Sequence, residues 1–76
     1  MNEKEQEVLA LLKELKPDAD FENSAHFVED FLLDSFDVIS LVDRIAERFG
    51  KEIALDDITA DNFSSVKSIA ALLEDA

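Results

Sequence analysis

The sequence predicts an all-α fold: a small four-helix bundle of three long helices plus a short third helix, with a long first loop. Three observations predict it. Apolar residues recur at helical spacing in three separate stretches, Val8-Leu11-Leu12-Leu15, Val38-Leu41-Val42-Ile45-Phe49 and Val66-Ile69-Ala70-Leu72-Leu73. One glycine (Gly50) and one proline (Pro17) are too few for the many tight turns of a sandwich or barrel. Hydrophobic residues make up 47% of the chain, enough to build a core although 34% is charged. A length of 76 residues sets the expectation of a single domain spanning residues 1–76.

The first helix is expected from about Asn2 to Leu15. Asn2 is a suitable N-cap, Glu3 and Glu5 suit the N-terminal dipole, and Lys13 and Lys16 suit the other end. Pro17 prevents continuation. An 18-residue connection then runs from Pro17 to Asp34. Connections this long without structure of their own are uncommon and are often functional. Its Phe21, Phe27, Val28, Phe31, Leu32 and Leu33 are too apolar for a solvated linker, so the loop is expected to fold back and bury them. A short helical turn is expected around Ser24 to Glu29.

The second helix is expected from about Ser35 to Phe49. Asp34 is its N-cap, and Asp37 three residues on makes a capping box with a shorter acid than usual. Gly50 supplies a left-handed C-cap. A short third helix is expected at Asp56 to Ala60, with Ile58 inward. Phe63 is expected to plug the core, and Ser64 or Ser65 to cap the last helix.

Nineteen acidic residues against seven Lys plus Arg give a formal charge of −12. Such a field repels phosphate backbones and anionic lipid, which argues against nucleic-acid and membrane binding. It attracts proteins with basic patches and speeds their encounter. No Lys or Arg occurs from Pro17 through Asp43, a stretch that holds eight carboxylates. The chain has no cysteine, hence no disulfide and no thiolate metal site. Its charged start and short apolar runs contain neither a signal core nor a membrane span, so a cytoplasmic address is expected.

The most informative segment is Leu33-Asp34-Ser35-Phe36-Asp37. It sets a serine at the first turn of an amphipathic helix, between two carboxylates and after an acidic loop. A Ser35 nucleophile acting within this chain needs a base, and the only histidine is His26, in the loop. A lone loop histidine is more often a surface or packing residue, and a Ser-His-Asp enzyme of this size is expected to lack a pocket large enough to bury a substrate. Self-contained catalysis, as in a small esterase, is therefore disfavoured. Asp34 with Asp37, or Glu52 with Asp56 and Asp57, do not follow calcium-loop spacing, and no metal site is expected. Ser35 reads instead as a handle for another enzyme.

A second face of the helix starts beside this serine. Phe36, Ser40, Asp43 and Glu47 step down it, with Ile39 flanking and Asp37 close by. Apolar residues next to the serine with acids beyond suit a partner bearing a hydrophobic notch and a basic rim. Phe36 is expected on the surface; for Ile39 the sequence leaves open partner contact or burial under the loop.

Over nearly all its length the chain resembles the acyl carrier proteins and the related peptidyl and D-alanyl carriers. The resemblance runs through the amphipathic first helix, the acidic loop, Asp34-Ser35, Phe49-Gly50-Lys51-Glu52-Ile53, Asp56-Asp57-Ile58 and Ser64-Ser65-Val66. It implies a stand-alone, non-catalytic, monomeric carrier. Ser35 would receive 4′-phosphopantetheine from coenzyme A through a separate, magnesium-dependent phosphopantetheinyl transferase. Cargo would be held as a thioester, on the sulfur that the cysteine-free chain lacks. Implied partners are that transferase, an acyl- or aminoacyl-loading ligase, and downstream synthase or transferase enzymes with basic patches. Housekeeping fatty-acid carriers usually have Gly two or three residues before the serine and Leu after it. Here Leu32-Leu33 and Phe36 stand there, which points to a dedicated pathway. The alternatives are an aminoacyl (D-alanyl or peptidyl) carrier and, more remotely, an unmodified acidic adaptor. A long acyl cargo would be sheltered between helices lined by Val42, Ile45, Ile58, Phe63 and Ile69.

Overall fold

In the computed structural model, which describes residues 2–74, three α-helices form: α1 (Glu3–Leu15), α2 (Ser35–Phe49) and α3 (Val66–Glu74). Two 3-10 turns, Phe21–Asn23 and Leu55–Asp57, punctuate the connections. Each helix starts on a reciprocal cap, which satisfies N–H groups that have no partner within the helix. In α1 the Asn2 Oδ1 accepts from the Glu5 N–H at 2.8 Å, while the Asn2 N–H donates to Glu5 Oε1 at 3.0 Å. In α3 the cap is made by two serines: Ser65 Oγ accepts from the Ser68 N–H, and the Ser65 N–H donates to Ser68 Oγ. The choice between Ser64 and Ser65 thus falls on Ser65. Gly50, at φ 66° and ψ 24°, closes α2 and donates its N–H to the Ala46 carbonyl at 3.0 Å.

Helix α1 is the central element and packs against both α2 and α3. Val8, Leu11 and Leu12 from α1 meet Leu41 and Ile45 from α2 and Ile69 and Ala70 from α3 in one buried cluster. Phe63 is completely buried between elements. Leu15, Val38, Val42, Phe49, Ile58, Leu72 and Leu73 are half-buried around it. Leu9 is buried as well, although it lies outside the expected stripe. At the end of α2 distant from Ser35, Glu14 pairs with Arg44 and Arg48 and ties α1 to α2.

The first loop folds back as expected, but selectively. Phe21, Phe27 and Leu33 are buried, the two rings meeting edge to face at 5.1 Å. Val28 and Leu32 are half-buried. Phe31 corrects the expectation of burial: it is 89% exposed. The cause is the backbone. Residues 27–30 form one helical turn, not Ser24 to Glu29, and the Leu32 N–H returns to the Phe27 carbonyl at 2.8 Å. Reversing the chain there turns residues 27 and 33 inward and residue 31 outward. The expected short helix at Asp56 to Ala60 is reduced to the single turn Leu55–Asp57. No helix among the described residues is long and apolar enough to cross a membrane.

Candidate functional site

The site is built by the cap of α2. Asp34 is extended (φ −102°, ψ −177°), its carboxylate accepts from the Asp37 N–H at 2.8 Å, and Asp37 accepts from the Asp34 N–H at 3.3 Å. This box sets Ser35 as the first residue of the helix, on the surface. Its hydroxyl makes no hydrogen bond to another described residue, so it stays available for reaction. The N–H groups of Ser35 and Phe36 have no acceptor among the described residues either. Two open donors at the positive end of a helix dipole favour negative charge beside Ser35 Oγ.

The electrostatics differ from what sequence order suggests. Asp37, expected on the partner face, is only 9% exposed. Lys16, just past the end of α1, reaches it at 3.0 Å. Burial alone would push the Asp37 carboxyl up. The hydrogen bond from Lys16, the Asp34 N–H and the Lys16 charge outweigh burial and hold it below the usual aspartate range. Asp37 therefore leaves the partner face: as the third helical residue its side chain folds back to the cap, and the cation captures it there. One of the two carboxylates flanking Ser35 is thus neutralised, and the other, Asp34, remains exposed.

A groove of about 380 Å³ opens beside the serine, lined by Val28, Asp34, Ser35, Val38, Ile39 and the segment Ile58 to Ala60. It brings the first loop, the start of α2 and the second connection to one place. Of the five residues expected to shelter cargo only Ile58 lines it; Ile45, Phe63 and Ile69 are completely buried. Those three close the bundle centre, so the available space lies at its surface.

On the expected partner face Phe36 is 76% and Ile39 57% exposed, and Asp43 and Glu47 are exposed too. Ile39 is thus not tucked under the loop, while Ser40 is half-buried. Asp43 and Glu47 form no ion pair among the described residues. His26 is exposed, and it lines a different depression with Glu29, Asp61 and Ser64 rather than the one holding Ser35. The histidine is therefore not grouped with the serine. Among the described residues no group of three or more His, Cys, Asp or Glu is arranged to hold a metal ion. Sequence reasoning missed Lys16 and the groove residues Val28, Thr59 and Ala60. The one signal for Lys16 is that it is the last cation before the acidic stretch.

The family model described as the phosphopantetheine attachment site matches residues 6–73. No curated protein and no solved structure matches the chain significantly.

Proposed function

The chain belongs to the phosphopantetheine-attachment family, and on that premise we propose that Ser35 is the serine that carries the group. The protein is a phosphopantetheine carrier, and its cofactor is 4′-phosphopantetheine attached covalently to a serine. When bound, the group supplies a flexible arm and the terminal thiol that holds the cargo.

The observation that carries the assignment is the exposed, unpartnered Ser35 hydroxyl at the capped start of α2. The other serines are differently employed. Ser24 Oγ donates to Asp30, and Ser64, Ser65 and Ser68 bond within the cap of α3. Ser40 is half-buried. The site also fits the group chemically. The open N–H groups of Ser35 and Phe36 would be available to a phosphodiester attached at that serine, and Lys16 offsets one nearby carboxylate. A separate transferase carries out the loading. Ser35 Oγ bonds to phosphorus, the phosphoanhydride of coenzyme A breaks, adenosine 3′,5′-bisphosphate leaves, and the hydroxyl proton passes to the transferase's base.

The cargo is an acyl group of a dedicated pathway. The groove at Ser35 is walled by Val28, Val38, Ile39 and Ile58, and its volume is within the range of small-molecule sites. An aminoacyl cargo is the second reading, favoured by the complete burial of Ile45, Phe63 and Ile69, which leaves no need to open the bundle for a small polar group. A loading ligase and downstream synthases or transferases meet the carrier at Phe36, Ile39, Asp43 and Glu47. Unpaired carboxylates beside exposed apolar residues suit the weak, fast, electrostatically steered contacts that successive visits require.

Intact mass and tandem fragmentation test the assignment, after incubation with a broad-range phosphopantetheinyl transferase, coenzyme A and magnesium. One phosphopantetheinyl group should appear on Ser35, and Ser35→Ala should abolish it with helicity unchanged. Modification at Ser24, Ser40, Ser64, Ser65 or Ser68 would overturn it.

A further inference from the structure

Two described residues hold a left-handed backbone, Gly50 at φ 66° and Phe31 at φ 62°. At Gly50 the chain uses the residue that adopts this conformation freely. At Phe31 it does not. The turn 27–30 ends with the Leu32 N–H on the Phe27 carbonyl and the Phe31 N–H on the Val28 carbonyl at 3.2 Å. This pair of bonds is a Schellman motif, whose left-handed position is normally glycine because a Cβ there crowds the following carbonyl.

A side chain that strains its backbone is usually retained because it packs. Phe31 does not pack. It is 89% exposed, and its ring has no aromatic or cationic partner among the described residues. Phe27 and Leu33, on either side of the turn, bury themselves and hold the loop without it. Neither backbone geometry nor the core explains a phenyl ring at this position, so its use is external.

The surroundings of the ring select what it meets. Glu29 and Asp30 precede it, Asp34 follows, and all three are exposed. With a formal charge of −12 the chain is repelled by anionic lipid and by a second copy of itself. A protein with an apolar pocket rimmed by Lys or Arg complements both ring and charges. Phe31 lies four residues before Ser35, and an enzyme that reacts at Ser35 Oγ must cover the surface around it. We propose that Phe31 is a specificity-determining anchor for the transferase that modifies Ser35, its ring seated in a basic-rimmed apolar pocket of that enzyme. The inference rests on Ser35 being the attachment serine.

The test compares wild type, Phe31→Gly and Phe31→Leu in modification kinetics with a phosphopantetheinyl transferase, coenzyme A and magnesium. Chemical denaturation and sedimentation are run on the same samples. Phe31→Gly should raise KM for the carrier roughly tenfold, as loss of an interface anchor does, with kcat within about twofold. Its denaturation midpoint should match or exceed wild type because strain is relieved. Phe31→Leu should recover most of the KM. An unchanged KM overturns the proposal, as does a lowered midpoint in Phe31→Gly, which would make the ring structural. A concentration-dependent dimer of wild type that Phe31→Gly abolishes would assign the ring to self-association and overturn it too. Absence of modification in wild type, or modification at another serine, would instead overturn the Ser35 assignment beneath it.

Discussion

The phenylalanines of this chain divide into an inner and an outer set. Phe21, Phe27 and Phe63 are buried and lock the first loop and the second connection onto the bundle. Phe31 and Phe36 are exposed, one on each side of Ser35 along the chain. Phe49 stands between the sets, half-buried, with the Lys4 ammonium 4.8 Å from its ring centre. The residue type is the same throughout, so hydrophobicity does not assign the sets. Backbone direction does. The turn at 27–30 aims one ring inward and another outward within five residues, and the cap at Asp34 does the same for Leu33 and Phe36.

The largest expected effect belongs to the inner set. Phe27→Ala should lower stability by about 3–5 kcal/mol, measured by chemical denaturation, because its ring is fully enclosed against Phe21 and the core. A loss below about 1 kcal/mol would show that the loop is not anchored by its rings, and the division would collapse.

An intermediate effect belongs to the ion pair beneath the serine. Lys16→Met should cost about 1–2 kcal/mol at neutral pH, between the values for exposed and fully buried pairs, since Asp37 is mostly buried and Lys16 is not. The pH dependence follows from the lowered folded-state pKa of Asp37. That stabilisation is present above the unfolded aspartate value of about 4 and is lost as pH falls through the lower folded value. The stability difference between wild type and Lys16→Met should therefore close on the acid side. Denaturation at neutral pH and near pH 3 checks this; a gap independent of pH would mean that Lys16 acts by packing alone.

The smallest stability effect belongs to the outer set. Phe36→Ala should change stability by no more than about 0.5 kcal/mol, as expected for an exposed position, yet slow modification of Ser35. Denaturation and transferase kinetics on one sample sharpen the contrast with Phe27. A stability loss comparable to that of Phe27→Ala would place Phe36 in the core and move the partner face elsewhere.

Local rules made much of the molecule legible. The helical periods at Val8–Leu15, Val38–Phe49 and Val66–Leu73 locate all three helices, because burial of one stripe is a property of consecutive residues. The cap at Asp34 and the left-handed stop at Gly50 are likewise local chemistry, and the cap positions Ser35. What depended on distant residues, or on the direction of a turn that no glycine or proline marks, was not legible. Asp37 reads as an exposed acid until Lys16, from another element, meets it. The groove needs Val28, Val38 and Ile58 brought together from three segments. Phe31 looks like core by composition, and only the hydrogen bonds that reverse the chain at Phe27 turn it out to solvent. The sequence by itself thus determined the helices, their ends and the exposed serine, which arise from contacts within a few residues. Tertiary structure decided which carboxylate is neutralised, where the groove opens and which rings face outward, because each depends on the packing of segments that are far apart along the chain or on the direction of a turn between them.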